Sequence, residues 1–262
     1  MNNDLAIQAV DLGKYYRIRN RRETQLKASL NDIILRKLRA FNPRAGAPAT
    51  KDQFTPYWAL RDVSFEIKRG DVLGIIGQNG AGKSTLLKIL ARITTPTTGY
   101  ALLRGSVGVM LEVGSGFHPE LTGRENVYMS GAILGLSQRD ISNRFDEIVD
   151  FAGIGDFIDT PVKYYSSGMY VRLAFSVAAQ LSADIYLIDE VFAVGDIGFL
   201  EKSRKKITAI AEAGRTTVIV SHMVDIIAEL CTTMMWLEKG TIVMQGEPQE
   251  VVSEYRKFLN LK

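Results

Sequence analysis

This chain cannot form an internal disulfide, because its 262 residues include a single cysteine, Cys231. That usage fits a reducing compartment. Nor does any stretch approach the ~18–20 uninterrupted apolar residues that a membrane-spanning helix needs. The most apolar region, near residues 171–188, is broken by Arg172, Gln180, Ser182 and Asp184. The opening Met1-Asn2-Asn3-Asp4 has no apolar run behind it and lacks the form of a secretory signal. A strong charge of one sign is also missing: the net charge of +3 is small and does not by itself imply a nucleic-acid partner. Histidine is limited to His118 and His222, and His118 has no accompanying ligand cluster, so no metal site built on it is expected. There is no internal repeat and no low-complexity tract.

What is present is an ordinary globular mix, 46% hydrophobic and 23% charged, enough for a sizeable core, in a length that allows one large domain or two small lobes. The charge is unevenly spread. Residues 17–44 hold nine Arg and Lys against Glu23 and Asp32, so this segment nets +7 and the remainder of the chain −4. Within it Leu26, Leu30, Ile33, Ile34, Leu38 and Phe41 follow helical spacing, and a Pro/Gly/Ala-rich connector follows to about residue 55. The segment 17–55 therefore reads as a basic helical insert with its connector, in which a solvated charged helix is the plainest role.

The remaining pattern alternates strands with helices. Strands are expected at 5–10, 58–67, 71–76, 101–111, 185–188 and 216–220, and a hairpin at 234–245 around Glu238-Lys239-Gly240. Helices are expected at 83–91, through much of 122–183, at 200–212 and at 248–259. This order predicts an α/β fold with a mainly parallel sheet and a helical lobe over about 113–180. A closing C-terminal helix is expected within 246–262.

Gly77-Gln78-Asn79-Gly80-Ala81-Gly82-Lys83-Ser84 matches G-x-x-x-x-G-K-[ST] between a buried strand and a helix, and Thr85 follows it. The glycines let the backbone wrap so that N–H groups converge on phosphate oxygens, and the helix aims its positive end at the same place. Lys83 offers a positive charge to the β- and γ-phosphates, and Ser84 offers a hydroxyl to Mg²⁺. Downstream, Ile185-Tyr186-Leu187-Ile188 ends in Asp189-Glu190. There Asp189 suits the Mg²⁺ shell and Glu190 suits a general base that polarises water.

Tyr165-Ser166-Ser167-Gly168-Met169 then narrows the class, because it resembles the ABC signature LSGGQ, departing from it at Tyr165, Ser167 and Met169. Read without that resemblance, Ser166 would be an ordinary helix cap. Further ABC elements follow in order. Ala193-Val194-Gly195-Asp196 resembles the D-loop, and Val220-Ser221-His222 resembles the switch histidine. In Gly13-Lys14-Tyr15-Tyr16, Tyr16 matches the adenine-stacking aromatic, with Tyr15 as the alternative and core packing possible for either. In Val109-Met110-Leu111-Glu112, Glu112 stands where the family usually has Gln, and a carboxylate there suits Mg²⁺ or its water.

The resemblance implies a P-loop ABC ATPase, a single domain over 1–262 with a RecA-like mainly parallel core, an antiparallel β subdomain and a helical lobe. It implies ATP and Mg²⁺ as cofactors and two copies meeting head to tail. ATP then lies between Gly77–Thr85 of one copy and Ser166, Ser167, Gly168 and Met169 of the other, with Asp196 near the interface. Lys83, Glu190 and His222 carry the chemistry, and Ser84, Asp189 and Glu112 attend the metal.

The run from Leu111-Glu112-Val113-Gly114 through Glu125-Asn126-Val127 resembles one branch, the ATPases of bacterial polysaccharide exporters. That branch implies a peripheral subunit on the cytoplasmic face of the inner membrane, paired with an integral permease, powering export of a lipid-linked polymer of O-antigen, capsule or teichoic-acid type. The basic insert would then lie near the permease entrance. No room is expected after the motor for the C-terminal carbohydrate-binding module of some members. The rival readings are the same motor exporting a drug or another lipid, a soluble ABC ATPase acting on DNA or ribosomes, and a nucleotide sensor without turnover. The short interval between Glu112 and Ser166 has no sustained heptads, and the single motor cassette also disfavours the soluble class.

Overall fold

The computed structural model describes residues 4–19, 54–111, 114, 116–189 and 196–260. Two sheets organise them. A three-stranded antiparallel sheet has the order β2-β1-β4, with β1 Leu5–Arg19, β2 Phe54–Lys68 and β4 Thr98–Leu103. A six-stranded sheet has the order β5-β6-β7-β3-β8-β9. Its strands are β3 Val72–Ile76, β5 Val107–Met110, β6 Ile185–Asp189, β7 Thr216–Val220, β8 Thr233–Glu238 and β9 Thr241–Gly246. The first five in that order run parallel, and β9 turns back against β8.

Burial on both faces explains why the central strands read as continuous apolar runs. Side chains alternate between faces along a strand. Leu73, Ile75, Leu187, Val218 and Val220 pack with the antiparallel sheet and with helix α1, Lys83–Leu90. Ile76, Tyr186, Ile188 and Ile219 pack on the opposite face with Phe175, Phe199 and Val251. Those three come from α4 Ser167–Ala178, α5 Ile197–Glu212 and α7 Pro248–Asn260.

The helical lobe comprises α2 Gly123–Ile133, α3 Gln138–Ala152 and α4, around Val127, Ile141, Ile148, Leu173 and Val177. Thr122 and Glu125 form a reciprocal capping box at the start of α2. Ser137 caps α3, and Gly153 ends it in the left-handed conformation. A short helix α6, Val224–Ala228, follows β7.

Two boundaries differ from the sequence reading. β1 does not stop near residue 10 but continues to Arg19, with Arg17 and Arg19 paired to Pro56 and Phe54. The basic segment 17–55 is thus strand at both described ends, Arg17–Arg19 and Phe54–Thr55, because the two flanks pair with each other. The expected helix itself lies outside the described residues. The stretch 101–111 is two strands in different sheets, since β4 joins β1 and β5 joins β6. The break falls at Gly105, whose φ of 144° suits glycine.

Candidate nucleotide site at the sheet edge

The parallel order places three chemical segments side by side. Strand β7 lies between β6 and β3. Asp189 at the end of β6, Ser221-His222 after β7 and Gly77 after β3 therefore follow the carboxyl ends of neighbouring strands. Ligands of α/β sheets bind at that edge.

The phosphate loop depends on backbone shape. Gly77, Gly80 and Gly82 have φ of 150°, 82° and 108°. A Cβ on Gly82 would stand 2.5 Å from the Ala59 carbonyl oxygen, so β2 closes on the loop from one side. At Gly80, by contrast, a Cβ would meet nothing within 4 Å, so the loop tip is open. The Ala81 amide donates to Gln78 O, and the Ala81 carbonyl accepts from Gly240 N, which ties the loop to the β8–β9 turn. Asn79 lies at the exposed tip beside Gly80.

Lys83 is only 6% exposed, and its ammonium donates to Gly77 O at 2.7 Å and Gln78 O at 3.1 Å. A buried ammonium needs such acceptors, and these hold it against the mouth of the loop. Ser84, in the first turn of α1, is exposed, and Thr85 is half-buried. A serine hydroxyl and the half-buried Asp189 carboxylate are hard oxygen donors, the set that Mg²⁺ prefers. Glu112 and Glu190 lie outside the described residues. His222 is exposed and lines a hollow of about 380 Å³ with Asp225, Tyr255 and Arg256, between the end of β7 and α7.

A second, separate surface is built at the tip of α4. Ser166 caps that helix, accepting from Met169 N at 3.2 Å. Ser166, Ser167, Gly168 and Met169 line an open hollow of about 370 Å³ together with Arg172 and Asp196. Its described lining includes no residue of the phosphate loop. The Asp196 carboxylate caps α5 through Phe199 N at 2.9 Å with one oxygen and accepts from Arg172 at 3.3 Å with the other. Tyr170 on α4 donates to Gly114 O at 2.6 Å, fastening the loop that leaves β5 to the same helix, and burial pushes its phenol pKa up.

The aromatic end of the site comes from the β1–β2 pair. Tyr15 packs against Trp58 with ring centroids 5.4 Å apart. Tyr16 points to the other face and is 40% exposed. Tyr57 is its direct cross-strand partner, and the Tyr57 hydroxyl donates to Gly80 O at 3.3 Å. The face that carries Tyr16 thus borders the phosphate loop.

Sequence reasoning missed Tyr57 and Arg172. Strand register selects Tyr57, and a contact between α4 and the start of α5 selects Arg172. Neither follows from local spacing.

This assembly of a glycine-wrapped phosphate loop, an acid-tipped strand and a serine-capped helix tip defines a class. A family model described as ABC transporter matches residues 60–193, half of the chain. The chain belongs to the ABC transporter family.

Among its relatives, the O-antigen export system ATP-binding protein RfbB of Klebsiella pneumoniae is 39% identical, covering 88% of this chain and 91% of that protein. The ABC transporter protein AbcA of Aeromonas salmonicida is 45% identical over 85% of this chain and 70% of its own length. The teichoic acids export ATP-binding protein TagH of Lactococcus lactis is 42% identical over 78% of this chain and 43% of its length. In fold the chain resembles a dimeric ATP-binding cassette solved with ADP and Pi, with a TM-score of 0.69 at 20% identity, covering 92% of this chain and 98% of that one.

Proposed function

We propose that this chain is the ATP-binding and hydrolysing subunit that powers export of a lipid-linked polysaccharide of O-antigen type. It works as a homodimer on the cytoplasmic face of the inner membrane, with a separate integral permease and without nucleic acid. The observation that carries this reading is the separation of two half-sites, the phosphate loop at the sheet edge and the Ser166 hollow at the tip of α4. Among the described residues, neither surrounds a triphosphate alone. Two copies facing head to tail complete both at once. The RfbB likeness over nearly the whole of both chains supports the substrate class.

In this reading the loop N–H groups from Gly77 to Thr85 cradle the phosphates, and Lys83 turns from its loop carbonyls to the β- and γ-oxygens. Ser166 and the amides of Ser167, Gly168 and Met169 face the γ-phosphate of the partner-bound nucleotide. Ser84, Asp189 and Glu112 would hold Mg²⁺, which neutralises developing phosphate charge when bound. Glu190 accepts the proton of the attacking water, and His222 steadies the γ-phosphate and Glu190. Rate enhancement then comes from positioning and preorganised charge. Closing and reopening of the dimer is passed to the permease through the helical lobe, about 113–180.

Glu190→Gln should keep ATP binding and lower turnover by about 10²–10⁴-fold, the usual worth of a general base. Near-native turnover in steady-state hydrolysis would remove Glu190 from this role. Teichoic-acid export is the second reading, favoured by the TagH likeness. Restoration of surface O-antigen in a strain lacking its own export ATPase, with no restoration of teichoic acid in the corresponding strain, distinguishes the two.

A further inference from the structure

Two aromatic rings, not one, stand beside the phosphate loop. Tyr16 and Tyr57 are cross-strand partners, 40% and 42% exposed, so both present open ring surface on one face of the sheet. Lys14 Nζ lies 5.2 Å over the Tyr16 ring while donating to Thr95 O at 2.7 Å, so a fixed cation already covers one side of that ring. Tyr57 is held differently, by its hydroxyl on Gly80 O at the open tip of the loop. This bond sets the distance between an exposed π-surface and the phosphate cradle. The neighbouring aromatics, Tyr15 and Trp58, are engaged with each other on the opposite face.

We propose that Tyr57 is a second nucleobase-binding residue, forming with Tyr16 a two-ring shelf that the Tyr57–Gly80 hydrogen bond keeps in register with the phosphate loop. This rests on the nucleotide reading of the loop and Tyr16. An exposed tyrosine gives stacking area with little side-chain entropy to lose, and anchoring its hydroxyl lowers that loss further. Every base has a π-face, so the shelf adds affinity for a nucleoside triphosphate over a bare triphosphate without reading the base edge.

The test compares binding of a non-hydrolysable ATP analogue and of inorganic tripolyphosphate by titration calorimetry, using the full chain with Mg²⁺. Tyr57→Ala should weaken the analogue about tenfold, within the usual range for a lost base–aromatic stack, and tripolyphosphate less than about twofold. Tyr57→Phe, which keeps the ring and loses the anchor, should weaken the analogue about two- to threefold. Where Tyr57→Ala fails to fold, Tyr57→Leu replaces it, with the same expectation.

Equal weakening of both ligands would make Tyr57 a prop for the loop and overturn the proposal, and so would no change in either. Tyr16→Ala, run alongside, separates the two levels. Loss of analogue affinity in Tyr16→Ala alone rejects only the Tyr57 assignment. Unchanged affinity in both variants rejects the aromatic shelf, and with it the reading of Tyr16.

Discussion

Cys231 lies against the backbone of β3, where a Cβ added at Gly74 would stand 2.7 Å from its sulfur. Burial pushes its thiol up to about 12, so almost no thiolate exists near pH 8. Alkylation of the native protein by iodoacetamide should be slow and should become fast in guanidinium, which mass spectrometry can follow. Equal rates in the two states would contradict the packing. Gly74→Ala should cost about 1–3 kcal/mol by overpacking, and adding Cys231→Ala should recover part of it in denaturant melts.

At this scale the phosphate loop, Asp189 and the helix cap at Ser166 were legible, because each is a short run whose chemistry depends on adjacent residues. Tyr57 and the Arg172–Asp196 pair were not. Their partners lie across a strand pair or on another helix, and only the tertiary register brings them together.

The helix α4 tests how a structural cap and a functional tip differ. Ser166→Ala removes one capping bond, worth about 1 kcal/mol of stability. If Ser166 also meets a γ-phosphate, losing that hydrogen bond to a charged group should slow turnover by about 10–100-fold, far beyond what the stability loss explains. A melt and an ATPase assay on the same variant separate the two roles.

The start of β6 carries a pH-sensitive tie. The Ser106 backbone N–H, then the Ser106 hydroxyl and more weakly the charge of Arg215 hold the Asp184 carboxyl below the usual aspartate range. A depressed folded pKa contributes stability above the unfolded value, near 4, and loses it as pH falls through the folded value. The gap in Tm between native protein and Asp184→Asn should therefore narrow below about pH 4. A gap independent of pH would rule out the charged form as its source.

Element types were largely readable from periodicity, and element limits were less so. The long β1 hides behind Asp11, Gly13 and Lys14, where a positive φ at Asp11 and register shifts interrupt the alternation. The 101–111 stretch read as one strand because hydrophobic pattern carries no information about which sheet a residue joins.

At the scale of the molecule, the sheet order brings the loop, Asp189 and the His222 segment to one edge, and the tip of α4 presents its own hollow elsewhere. The alternation of strands and helices gave the α/β class from the sequence, since each central strand is buried on both faces. Head-to-tail completion by a second copy is a claim about assembly, which no single chain displays. The direct measurement is light scattering on the Glu190→Gln variant with and without Mg-ATP, combined with cross-linking from a cysteine at Ser166, in a Cys231→Ala background, to one at Asn79. Two copies per particle that appear only with nucleotide, cross-linked between chains, are the predicted result. Nucleotide bound at full occupancy by a monomer, with no cross-link between chains, would contradict it.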